Sequence, residues 1–295
     1  MLRLKMTLVL VWAVGLLGFS QKIAPYYNCG SVAGTIATVK ENVVTALAAK
    51  GFTVIGGYNV SSKSNLYVLA VSSKELQAVC LKVKEKGILA SNLRIGFEQK
   101  GTNVEITILN PRYLFLGYLR KSYDTNKAAL DKIDTDFKTV MKAVANVQTP
   151  FGGEVAESEL KNYHYMAMMP YFEDDIELKS FDTYEQAIAA IDKNLNAKAG
   201  GCKKVYKLAF NSQKMAVYGI ALHDKELGEP HIMPIIGEKH FVAMPYEIVV
   251  MNNKVYMLHG KFRFAMYWPA LTMGTFTKIM STPGDVEDTF ELLVK

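Results

Sequence analysis

The sequence predicts an α+β fold made of two tandem, related units that pack as an internal pseudo-dimer. Three observations predict it. Phe97-Glu98, a strand, a tight turn, a second strand and Arg112-Tyr113 recur in the second half as Tyr246-Glu247, strand, turn, strand and Arg263-Phe264. Helix-period and strand-period segments follow the same order in both halves. A strongly helical stretch, 124–147, then gives way to a polar, Gly-bearing stretch, 149–160, where a boundary fits. The chain divides accordingly into a signal peptide at 1–20, a first α+β unit at 21–148, a linker with the first strand region of the second unit at 149–180, and a second α+β unit at 181–295.

The N-terminus reads as an address. Arg3 and Lys5 precede the apolar run Thr7–Leu17, and Gly18-Phe19-Ser20 offers a small residue at a cut. That is the three-part pattern of a secretory signal peptide. The run is short for a membrane span of about 20 apolar residues; an uncleaved anchor is the alternative. The expectation is an exported protein, periplasmic or extracellular in a bacterium, with no membrane span after cleavage. The net charge is +6, with lysines and acids mixed along the chain. No basic block marks a nucleic-acid partner. Cys29, Cys80 and Cys202 permit one internal bridge in any of three pairings, and no CxxC or CxxCH motif is present.

In the first unit, Val39, Val43 and Leu47 share a face of a helix at about 36–50, which Gly51 ends. Phe52–Asn59 and Leu66–Val71 read as strands around the turn 61–64. Ser73 is a fair N-cap for a helix to about Lys86. Leu93–Gln99 and Val104–Leu109 form a hairpin across Lys100-Gly101. Asn110-Pro111 starts another helix, with Pro in its first turn. The second unit repeats this with a helix at 183–197, strands at Val205–Phe210 and Met215–Leu222, and a hairpin of Phe241–Val250 and Val255–Leu258 across Asn252-Asn253. A helix-prone segment, 263–280, and a last helix at about 286–293 close the chain. One element breaks the repeat. Where the first unit has the helix carrying Cys80, the second has a Gly/Pro/His stretch, His223–His240, which reads as a loop.

The helix end Leu47, Lys50, Gly51, Phe52, Val54, together with the later hairpin ending in Asn110-Pro111, resembles the family called domain of unknown function 302. The resemblance covers roughly residues 31–145. The second unit departs from it, with Gly200-Gly201-Cys202 in place of Gly-Phe. The resemblance implies a compact α+β fold that pairs as dimers, and tandem copies would make that pairing within one chain. It implies no activity.

Three constellations are candidates for function. The repeated pairs Glu98/Arg112 and Glu247/Arg263 flank the hairpins, so hairpin closure would bring each pair near. An Arg there suits a carboxylate or phosphate ligand; the plainer reading is an ion pair tying helix to sheet. The histidines all lie between His164 and His259, and after residue 20 only Met141 precedes Met166. His164 with Met166, His231 with Met233, and Met257 with His259 stand two apart, and His240 lies among them. On strands such residues share a face. Imidazole with thioether suits copper(I) or haem iron, although methionine also fills core gaps. The third group is aromatic, with Tyr246, Phe264, Tyr267 and Trp268 flanking the second hairpin. It fits an apolar ligand pocket or the interface between units.

No GxSxG, HExxH or phosphate-binding loop is present. Cys202 beside Lys203 and Lys204 is a weak candidate nucleophile. The reading that follows is a non-catalytic binding protein of unknown ligand, with its site in the second unit or between units. The alternatives are a copper or haem protein, or an interaction module of the cell envelope. The partner expected is an unknown small molecule or an envelope protein.

Overall fold

A computed structural model describes residues 21–295; the signal peptide expected at 1–20 lies outside the described residues. The first unit runs β1 (Lys22–Ile23), β2 (Tyr26–Ala33), α1 (Ile36–Ala48), β3 (Phe52–Asn59), β4 (Leu66–Ser73), α2 (Lys74–Lys82), β5 (Leu93–Lys100), β6 (Asn103–Leu109), α3 (Pro111–Leu119), α4 (Ser122–Thr125), α5 (Lys127–Ala145) and β7 (Thr149–Phe151). Six of its seven strands form one antiparallel sheet in the order β3-β4-β5-β6-β2-β7. Local chemistry sets the helix starts. Thr35 caps α1 by accepting from the Thr38 amide, and Ser73 caps α2 by accepting from the Leu76 amide. Pro111 stands in the first turn of α3, where no amide donor is needed.

The chain continues through β8 (Val155–Ala156), which pairs with β1, and α6 (Glu157–Leu160). The second unit is β9 (Ile176–Ser180), α7 (Tyr184–Asn196), β10 (Cys202–Phe210), β11 (Met215–Leu222), α8 (Glu229–Ile236), β12 (Tyr246–Met251), β13 (Lys254–Met257), α9 (Gly260–Tyr267), α10 (Met273–Phe276) and α11 (Thr282–Glu291). Its sheet order, β10-β11-β12-β13-β9, reproduces β3-β4-β5-β6-β2. The copies share a bulge as well: pairing slips between Val54 and Gly56 in β3, and between Lys204 and Tyr206 in β10.

The structure corrects the sequence reading in four places. The opening strand β2 was not expected. The stretch 223–240 is not a plain loop, because it holds α8, the counterpart of α2. Pro230 and Pro234 hide that helix from a propensity reading, while Ile232, Met233 and Ile236 turn inward. The strand expected from Phe241 begins only at Tyr246, after a 3-10 turn at Glu238–Ala243. The match between repeats also shifts. Gly56 pairs with Ala70, which pairs with Arg94; Tyr206 pairs with Gly219, which pairs with Glu247. Glu247 therefore stands where Arg94 does, and not where Glu98 does. The second hairpin is shorter, which displaces every alignment made from its turn.

With this register, matched residues touch each other. Arg94 is ion-paired with Glu247. Counting on from the matched hairpins, Gly117 corresponds to Met266 and Tyr118 to Tyr267. The two tyrosine hydroxyls are 3.1 Å apart. A Cβ on Gly117 would collide with the Met266 methyl carbon, and one on Gly56 would come 2.9 Å from the Cβ of its match, Tyr206. Contacts between equivalent positions mark a two-fold axis. The two sheet-plus-helix units form an internal pseudo-dimer with one continuous hydrophobic core. No helix among the described residues is long and apolar enough to cross a membrane.

Candidate functional site

The pseudo-axis carries a buried charge cluster. Arg263, on α9, reaches Glu247 on β12 at 3.4 Å and donates to the Ala243 and Pro245 carbonyls, each at 2.9 Å. Its guanidinium lies 3.6 Å from the centre of the Tyr246 ring and 4.6 Å from that of Tyr267. Arg94 enters from β5, bonds Asn92 and the Ala243 carbonyl, and shares Glu247. All three charged side chains are buried. Glu247, Arg263, Tyr246 and Tyr267 are thus together, inside the molecule, where the cluster joins the two units. The pair expected in the first unit, Glu98 with Arg112, does not form. Arg112 makes a bidentate bond to Glu157 at 2.6 and 2.7 Å and reaches Asp131 at 3.1 Å, while Glu98 pairs with Lys100.

A second carboxylate, Glu229, closes the junction nearby. It is fully buried at the start of α8 and accepts from Tyr58 Oη at 2.6 Å, the Ser61 amide at 2.9 Å and the Leu222 amide at 3.3 Å. Burial pushes its pKa up to about 7, against the pull of these donors. Next to it, Ser62 Oγ meets His223 Nδ1 at 3.0 Å.

The His/Met set is dispersed. His231 and Met233 lie on α8, where positions two apart face opposite ways; His231 is exposed and Met233 buried. Met257 is buried in β13, whereas His259 lies past the strand end and caps α9, its Nδ1 accepting from the Lys261 amide at 3.2 Å. His240 packs on Tyr26 and Phe151. His164 and Met166 are on no strand. The His164 ring stacks on Tyr171 at 3.9 Å, and its Nε2 meets the Met169 carbonyl at 2.7 Å. His164, His259, Met168 and Met169 do rim one open hollow. Among the described residues, no group of three or more His, Cys, Asp or Glu side chains is placed to hold a metal ion. The three cysteines are buried free thiols. Burial pushes Cys29 and Cys202 up to about 12, so Cys202 is not an activated nucleophile.

The accessible feature is aromatic and methionine-rich. Phe264, Ala265 and Trp268 of α9 and its end, Leu271, Met273 and Phe276 of the following segment, and Tyr165, Met166 and Met169 of the segment before β9 line an apolar hollow of about 70 Å³. Met166 and Met273 are about half exposed on its rim, and Met168 beyond them is fully exposed. Lys261 is its one charged lining residue, with no ion pair among the described residues. Trp268 and Leu271 also line a second hollow on the side of α8. Sequence reasoning marked Phe264 and Trp268. It missed Lys261, Leu271, Met273 and Phe276, which belong to the site only because two distant segments meet. It also missed Arg94, whose only sequence signal is a charge inside an apolar stretch, and Glu229, which stands in a polar segment with no such signal.

No family model matches the chain, and no curated protein matches it. Among solved structures it is similar to the crystal structure of an uncharacterized conserved protein, DUF302, from Bacillus stearothermophilus. The identity is 18% and the TM-score 0.32, over 41% of this chain and 96% of that one.

Proposed function

We propose that the protein is an exported, non-catalytic binding protein whose site on the second unit takes a small amphiphile, an apolar chain with an anionic head. The observation that carries this reading is the hollow formed by Phe264, Trp268, Met169 and Met273 with Lys261 beside it. Apolar walls with one polar contact are the usual make-up of a ligand site. Exposed, unbranched methionines re-pack around chains of different shape. Lys261 supplies the single charge, which favours a carboxylate head over a neutral one by the modest margin of an exposed pair. The buried Glu247/Arg263 cluster serves this site by fixing α9 to the sheet. Export rests on the Arg3–Ser20 pattern.

The test uses the full chain with Trp12→Phe, so that Trp268 is the only tryptophan. Titration with butanoate, whose chain is short enough for the hollow, should give a saturable change in Trp268 emission. Ala265→Leu should abolish it by filling the hollow. Lys261→Glu should weaken butanoate about threefold and leave butanol unchanged. No saturable response, or one indifferent to both substitutions, ends this reading.

A second reading, copper(I) binding, is favoured by one observation: His164, His259, Met168 and Met169 share a rim. It expects copper(I) uptake that is lost in a His259→Ala/Met168→Ala double variant. Uptake unchanged in that variant, or none in the parent, removes it.

A further inference from the structure

We propose that the second unit docks on an uncharged lipid surface through the methionine and tyrosine patch around Met168. Five of the nine large apolar side chains exposed among the described residues lie on this one face: Tyr165, Met166, Met168, Tyr171 and Met273. The two hollows beneath them show that the face is continuous. Tyr165, Met166 and Met273 line one hollow, Met168 and Tyr171 line the other, and Met169 and Lys261 line both. A contiguous exposed apolar patch marks a docking surface for a protein or a membrane.

The fold holds the tip of the patch out. Met168 is fully exposed and has a φ of +67°, a backbone state that a long side chain seldom takes. The loop that carries it is braced from behind. The Met169 amide donates to the Met166 carbonyl at 3.1 Å, the Met169 carbonyl meets His164 Nε2 at 2.7 Å, and the His164 ring stacks on Tyr171. Strain kept in place at an exposed apolar side chain points to a use for that side chain.

Three observations favour a lipid surface over a protein partner. The first is where the chain enters the fold. The Gln21 carbonyl accepts from the Glu157 amide at 2.9 Å, and Ile23 pairs with Val155. Val155 lines an open hollow together with His164 and Tyr165, so the entry point lies beside the patch. The residues before it include the apolar run Thr7–Leu17, which a leader of this pattern places in a membrane during export. The second is charge. The fixed charges lining the two hollows under the patch are one cation, Lys261, and one anion, Asp174, a balance that suits an uncharged surface. The third is side-chain type. Unbranched thioethers adapt to a surface of no fixed shape, and tyrosine suits the boundary between lipid headgroups and chains. The proposal takes from the export reading only the place where the leader joins the fold. It does not depend on the amphiphile reading, which butanoate tests without vesicles.

The test places a polarity-sensitive fluorescent probe at a new cysteine in the full chain, since the three native thiols are buried. Met168→Cys puts it on the patch, and Glu41→Cys puts it on the exposed side of α1 in the first unit. With phosphatidylcholine vesicles, the probe at 168 should shift its emission to shorter wavelength and be quenched by brominated acyl chains. The probe at 41 should do neither. Exchanging part of the phosphatidylcholine for phosphatidylglycerol should leave the response at 168 unchanged. The proposal falls if both probes stay in water, which would mean that the leader alone carries the chain to the vesicle. It falls equally if both probes are quenched alike, or if the response needs the anionic lipid. A shift at 168 that grows with protein concentration in the absence of vesicles would assign the patch to a second copy of the chain and overturn it as well.

Discussion

The two units share a strand order, a bulge and an axis, yet they cover their sheets differently. In the first, the 19-residue α5 packs on α1, α2, α3 and β2, with Leu130, Ile133, Phe137, Val140 and Met141 buried. In the second, the matching helix is α11, ten residues long, which packs on α9 and β9. The chain leading to it passes through Pro269 and the short α10, which buries no residue. The exposed methionines Met273 and Met280 lie in that stretch, and Met166 and Met168 lie in the segment before β9. The repeat is strict where the units must fit each other and loose where the second unit faces outward. The candidate site occupies the loose part.

The sharpest way to break this comparison is to remove one carboxylate from the axis and one from an ion pair on the first unit's surface. Glu247→Ala leaves Arg94 and Arg263 buried together with no counter-charge, and should destabilise the protein by about 3–5 kcal/mol. Glu157→Ala removes the partner of the half-exposed Arg112, and should cost about 1 kcal/mol or less. Urea unfolding of both variants measures the difference. Similar losses would mean that the axis cluster is no more structural than the surface pair.

Next in size is the pH response of the junction itself. An acid whose pKa is higher in the folded chain than in the unfolded one holds its proton longer when folded. The stability from Glu229 is therefore fully present below the ordinary value of 4.5, falls as pH rises from 4.5 towards 7, and is level above 7. The fall is about 3 kcal/mol. Burial depresses His223 and His240, which act in the opposite sense, losing stability as pH drops below the usual histidine range. Subtracting the curve of Glu229→Gln from that of the parent isolates the carboxylate. A flat difference between pH 4.5 and 7 would show that Glu229 is ionised in place.

Much of the fold was legible because it is local. The bounds of β3 and β11 were read directly, since each is an apolar run closed by turn residues. The α+β class and the two related units followed from element order, and their pairing from the family resemblance. What could not be read was long-range. Arg94 meets Glu247 because of strand register across an axis, and a hairpin of different length misled the alignment of Glu98 and Arg112. The prolines of α8 argued for a loop, yet Pro230 stands in the first turn and tertiary packing of Ile232 and Ile236 outweighs Pro234. At the site, Phe264 and Trp268 were visible as an aromatic run. Met233 and His231 were paired on strand spacing, and a helix separated them.

The smallest expected effect tests the loose half of the comparison. Met166 and Met273 are about half exposed, and their thioethers rim the apolar hollow without closing the core. Changing both to Ser removes apolar surface that water already reaches, so stability should move by no more than about 0.5 kcal/mol. Their loss should still weaken capture of butanoate several-fold, because its chain would gain less buried apolar contact on binding. Thermal melting and the Trp268 titration on the same variant separate the two quantities. If melting falls in step with capture, the methionines are holding the second unit together, and its thin cover is part of the fold and not a binding surface.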